Sequence, residues 1–424
     1  MIRKNLLPLI LVTSLFFLWA LTSNLIPTLF HHLKKACRLT DFQSAFIDSA
    51  YWVAYFVIAI PAGLVMEKFG YKRAIIIGLL IAAAGTFLFY PAAEQKTFAF
   101  FLTALFIVAS GMTFLETAAN PYMTIIGAPE TASQRLNFAQ AFNGLGAFIA
   151  AFFLSKVILN NRVISDETLL KMTSTDADIL LTQEAKTVQL PYIIIGVILL
   201  VMAIIFILTA LPKENKVGTV GKTSALSLNP FVHKKLFLGI IAQFFYVGAQ
   251  VCISSFFIRY SNYAAGLHEL EAANYLDLLL MAFIMGRYVG TFIMQYIQPA
   301  LLLALYSSIN IMLLCIVVFV GGKVSVYSLV GVEFFISIMY PTIFALAIEG
   351  MGDKTKMASS YLVMSIVGGA LFPVVMGKVS DMSNIQTAYG VPAACFVVVL
   401  YFSAQVKKLM YPSMQYCGLS NNVS

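Results

Sequence analysis

Apolar residues gather in blocks of about twenty along the whole chain, separated by short clusters rich in Lys, Arg, Gly, Pro and Asn. Each block is long enough to cross about 30 Å of hydrocarbon as a helix. Alternating ten-residue strands are absent, and helices are the other way to satisfy a backbone in lipid. The pattern predicts twelve spans, at residues 7–31, 42–66, 72–93, 97–122, 136–160, 188–211, 235–260, 271–296, 299–320, 325–348, 357–379 and 386–406. The first follows Arg3 and Lys4 as a signal peptide would, but it is too long for a signal core and has no small-residue cleavage site. It reads as a retained helix, and the fold class as an all-α integral membrane protein.

Composition agrees: the 424 residues are 60% hydrophobic and 11% charged, where soluble domains carry about 25% charge. The net charge of +8 does not point to nucleic acid, because the basic residues sit at helix ends and in short loops. With the N-terminus inside, the cytoplasmic segments hold fifteen Lys and Arg and the outer ones eleven. That bias favours both termini in the cytoplasm. Five cysteines, odd in number and mostly within spans, show no disulfide or metal pattern. Neither a metal nor another cofactor is expected, and a single copy in the lipid bilayer suffices.

The longest polar interruption expected inside is "LPKENKVGTVGKTSALSLNPFVHKK", Leu211 to Lys235, without apolar periodicity. It divides the chain into a bundle at 1–212, a linker at 213–234 and a bundle at 235–424, six spans in each. Transporters rock two such halves about a site at mid-membrane. A second polar stretch, Asn160 to Gln189, reads as a solvated outer loop. Between spans two and three, "GLVMEKFGYKR" places Gly63, Glu67, Lys68, Gly70, Lys72 and Arg73 in a tight turn. Its charges suit pairing with helix ends that separate as the halves move.

Within "FLETAANPYMT", Glu116 lies deep in the fourth span. An ionised carboxylate there costs about 3 kcal/mol even on a lenient insertion scale, so either a basic residue on another helix offsets it or the acid marks an ion or proton path. Asn120 is four residues on, on the same helix face, and Pro121 supplies no amide for the Thr117 carbonyl. In "RLNFAQAFNGLGAF" of the fifth span, Asn137, Gln140 and Gly144 share a face with Asn143 one position round. Amides both donate and accept without charge, as sugar hydroxyls require. Span seven carries Gln243, Tyr246 and Gln250 as a polar stripe with an aromatic centre. Further polar points are Asn24, Asn274, Asp277, Arg287, Asn310, Glu333 and Tyr340. Asp277 and Arg287 are about 15 Å apart along a straight helix and need separate partners.

The blocks "TDFQSAFIDSA", "IPAGLVMEKFGYK", "LETAANP", "RLNFAQAFN", "AQFFYVGAQ", "MGRYVGT" and "YPTIFALAI" resemble, in order, the fucose-proton symporter family of the major facilitator superfamily. The turn after span two is similar to that superfamily's loop signature. The resemblance implies twelve helices in two six-helix bundles and alternating-access uptake of a monosaccharide driven by protons. It implies that Glu116 is the family's intramembrane acid and that Gln140 and Asn143 are pocket residues. Asn24 matches the first asparagine of the family's span-one motif, Asn-Leu-Asn-Asp. Here that motif reads Asn24, Leu25, Ile26, Pro27, so the second acid is missing. Asp48 in span two, at a depth within roughly 3 Å of Pro27, is expected to supply it. Unchanged gradient-driven uptake and pH dependence in Asp48→Asn would rule that out.

The expected proton-coupling pair is therefore Glu116 and Asp48. The expected sugar contacts are Asn24, Asn120, Gln140, Asn143, Gln243, Tyr246, Gln250, Asn274 and Tyr340. Burial favours the neutral form of a carboxylic acid, so Glu116 is suited to carrying a proton and releasing it when water enters. Sodium coupling, uncoupled transport and a sugar sensor that moves nothing are the rivals. An enzyme is disfavoured, because His31, His32, His233 and His268 show no ligand spacing and no Ser/His/Asp grouping is evident.

Overall fold

A computed structural model describes the backbone of residues 2–36, 41–95, 97–150, 189–212 and 228–410, and the side chains of these except 2–6, 25–36, 41–49, 269–270 and 409–410. The apolar blocks become α1 (Ile2–Ala36), α2 (Asp41–Phe69), α3 (Tyr71–Gln95), α4 (Phe98–Ile125), α5 (Ala132–Ile149) and α6 (Gln189–Leu208). After the linker come α7 (Lys234–Ala265), α8 (Glu269–Ile293), α9 (Pro299–Phe319), α10 (Gly322–Ile336), α11 (Met339–Ile348), α12 (Thr355–Met364), α13 (Gly368–Met382), α14 (Ile385–Ala388) and α15 (Gly390–Met410). Eleven helical stretches long and apolar enough to cross a membrane fall among the described residues. The predicted span at 136–160 begins as α5 and continues into residues that are not described.

Three predicted spans are broken, the twelfth only at Tyr389, between α14 and α15. The tenth is split into α10 and α11, because Pro341 has no N–H for the Ser337 carbonyl one turn before it. The eleventh is split into α12 and α13 by a 3₁₀ turn at Ser365–Val367.

The chain divides into two compact units. The first comprises 1–128, 139–227 and 352–364, and thus contains α1 to α4, most of α5, α6 and α12. Its most extensive seam joins α3 and α4, where a Cβ on Gly111 would lie 2.4 Å from the Ala82 backbone nitrogen. Phe89 of α3 stacks on Tyr192 of α6 at 3.8 Å between ring centres. The second unit comprises 129–138, 228–351 and 365–424. In it Tyr260 of α7 donates to the Val317 carbonyl of α9 at 2.9 Å, and Ser403 of α15 donates to the Ala300 carbonyl.

The turn after α2 closes tightly because Gly70 takes a φ of 81°, a left-handed conformation that costs other residues about 1–2 kcal/mol. Around it Lys72 Nζ donates to the Ile207 carbonyl at the end of α6 at 3.0 Å. Lys68 sits over Phe69, and Arg73 is exposed. Lys356 of α12 lies over Tyr71 at 5.2 Å and within electrostatic reach of Glu67. Gly63 lets α2 approach α12, since a Cβ there would meet Ser360 Oγ at 2.0 Å.

Candidate functional site

In the first unit, α4 presents Glu116 to a small cavity walled by Leu15, Phe16, Trp19, Leu115, Ala119 and Gln140. The acid is 7% exposed. Gln140 of α5 donates through Nε2 to Asn120 Oδ1 at 3.1 Å, leaving Asn120 Nδ2 without a hydrogen bond among the described residues. Acid and amide thus line one wall through helices α4 and α5, while Trp19 of α1 offers an apolar face. The Thr117 carbonyl that Pro121 sets free does not turn to this cavity's polar groups: Ser359 of α12 donates to it at 3.1 Å.

A chain of hydroxyls that the residue pattern did not single out stands beside this wall. Trp19 Nε1 donates to the Tyr55 hydroxyl at 3.0 Å, and Tyr51 donates to Tyr55 at 3.3 Å and reaches Ser23 at 3.5 Å. Both phenols are within electrostatic reach of Glu116. The signal was present as Tyr51 and Tyr55 four apart on one face of span two, but aromatic residues in a greasy helix read first as packing.

The other first-unit candidates are dispersed. Asn24 is exposed, with Nδ2 on the Ala20 carbonyl of its own helix at 2.8 Å. Asn143 is half-buried, and its Nδ2 has no hydrogen bond among the described residues. Asp48 lies on α2, but its side chain is outside the described residues.

The second unit holds a different polar cluster, centred on the break between α10 and α11. The Tyr246 hydroxyl of α7 donates to the Ile336 carbonyl at 3.2 Å and accepts from the Tyr340 backbone N–H. It has entered the helical ladder between two groups that would otherwise bond each other. Arg287 of α8, 4% exposed, donates through Nε to the Ser337 carbonyl that Pro341 leaves open, at 2.8 Å. Tyr340 has its ring 6.4 Å from that of Tyr246. Asn137 at the start of α5 donates to Thr342 at 3.0 Å. Gln243 is fully buried, and neither of its amide atoms finds a partner among the described residues. Gln250 is half-buried, whereas Asn274 and Asp277 are exposed.

This is a buried acid with amides and an aromatic ring on a helical membrane scaffold, and the Major Facilitator Superfamily model matches residues 9–373. The chain belongs to that superfamily. Within the superfamily it is 40% identical to the L-fucose-proton symporter of Escherichia coli over 95% of this chain and 93% of the other. It is 37% identical to a glucose/galactose transporter of Brucella abortus over 92% of each. The crystal structure of the E. coli fucose:proton symporter superposes with a TM-score of 0.88 at 39% identity, covering 94% of this chain and 98% of that one. Proteins of this superfamily are transporters, and this chain is not an enzyme.

Proposed function

We propose that this protein imports a monosaccharide, L-fucose or a related hexose or amino-sugar, across a bacterial inner membrane by proton symport with alternating access. Residues 1–212 and 235–424 act as the two moving six-helix bundles, both termini face the cytoplasm, and one copy is the working unit. The observation that carries the reading is Glu116, buried on a cavity wall beside the Gln140–Asn120 amide pair and the Trp19 ring. Amides match sugar hydroxyls in either direction, and an indole ring suits the apolar face of a pyranose. The similarity to an L-fucose-proton symporter and to a glucose/galactose transporter supports the substrate class.

Glu116 takes a proton from the outer side, which removes the charge that resists occlusion, and loses it to water on the inner side. Sugar and proton are linked because both act on the same small wall. Asn120, Gln140, Asn143, Gln243 and Gln250 are the proposed sugar contacts. The Tyr246 hydroxyl is engaged at the α10–α11 break, so its part is to hold that break. Asp48 is the proposed second acid.

Counterflow in proteoliposomes with labelled L-fucose, D-galactose, D-glucose and N-acetylglucosamine identifies the sugar. Saturable exchange of at least one is expected. Exchange of none of them would refute the hexose reading.

A further inference from the structure

Glu116 is not the only carboxylic acid buried in a span. Glu333 of α10 is 5% exposed, and its one hydrogen-bond partner among the described residues is Ser254 of α7, whose Oγ lies 3.3 Å from Oε1. No Lys or Arg forms an ion pair with it among the described residues. A carboxylate held by a single hydroxyl in a span is poorly compensated, whereas a neutral acid is well served by the same contact.

Ser254 has one hydrogen and two acceptors within reach. Besides Glu333, the Gln250 carbonyl one turn back on α7 lies 3.2 Å from the same Oγ. A hydroxyl that bonds the carbonyl four residues before it tends to bend its helix. Ser254 can donate to the carboxylate or to the helix, and not fully to both.

We propose that Glu333 is a second proton-carrying acid whose state is passed to α7 by the direction of the Ser254 hydroxyl. With Glu333 ionised, Ser254 O–H donates to Oε1. When a proton from water binds the carboxylate, the new O–H donates to Ser254 Oγ, and the serine hydrogen turns to the Gln250 carbonyl. No bond other than O–H is made, and the proton stays on Glu333 until it returns to water. The bend of α7 then changes, and that helix also carries Gln243, Tyr246 and Gln250. The groups around Glu333 are consistent with this assignment. Tyr246 of α7 and Tyr389, between α14 and α15, are within electrostatic reach of it. From α8 the buried cation is Arg287, directed at the Ser337 carbonyl, while Asp277 is exposed. From α9 comes Tyr306, packed on Phe335. The consequence for sugar rests on the symport reading above; the protonation does not.

Infrared difference spectra of the purified protein, titrated from about pH 5 to about pH 9, test both parts without any sugar. A titrating carboxylic C=O band distinct from that of Glu116 is expected to remain in Glu116→Gln and to be lost in Glu333→Gln. In Ser254→Ala the band is expected to persist at a displaced frequency, because its hydrogen-bond acceptor is gone. A spectrum unaltered by Glu333→Gln overturns the acid. A band of unchanged frequency in Ser254→Ala overturns the relay. Failure of the sugar panel with these bands intact would refute the symport reading alone.

Discussion

At the scale of single residues, the Gln140–Asn120 pair does two things at once. It satisfies half of a fully buried Asn120 amide, and it fixes Gln140 on the wall that holds Glu116. Gln140→Leu strips Asn120 of its one described side-chain partner. The variant should unfold in detergent with a loss of about 1–3 kcal/mol, and its half-saturation for sugar should rise about tenfold. Thermal unfolding and counterflow measure the two effects; wild-type values for both would remove Gln140 from the site. Glu116 and Gln140 could be read from the chain, since an acid and an amide in lipid stand out against their neighbours. Ser359 could not be read as the partner of the Thr117 carbonyl, because it lies 242 residues away and a serine in a span is unremarkable. Tyr51 and Tyr55 were hidden for a related reason: among 20 Tyr and 35 Phe, a tyrosine carries little information until its hydroxyl is seen to bond.

At the scale of elements, the positions of the spans followed directly from hydropathy, because the thickness of hydrocarbon sets one length for all of them. Their interruptions were less legible. Pro341 marks the α10–α11 break, yet Pro61, Pro91, Pro121 and Pro373 lie inside continuous helices. What distinguishes Pro341 is tertiary: Arg287 and Tyr246 occupy the backbone groups exposed at the break. The α3–α4 seam makes a sharper prediction. At Gly111 a side chain would press on the backbone of Ala82, which cannot retreat without shifting α3. Gly111→Leu should destabilise by about 3 kcal/mol or more and reduce the folded yield recovered in mild detergent. A variant with the wild-type melting temperature would show that the two helices are not packed as described.

For the whole molecule, a membrane scaffold of the major facilitator superfamily carries Glu116 as the acid proposed to move protons with sugar. One charge moving through 100 mV releases about 2.3 kcal/mol, which at 1.36 kcal/mol per decade sustains roughly 50-fold accumulation. The most direct measurement compares wild type and Glu116→Gln in proteoliposomes, in sodium-free buffer, with the outside made acidic. Wild type should concentrate the labelled sugar until an ionophore collapses the gradient. Glu116→Gln, fixed in a neutral form, should still exchange sugar in counterflow yet equilibrate without accumulation. Accumulation by that variant to the wild-type level would contradict the account.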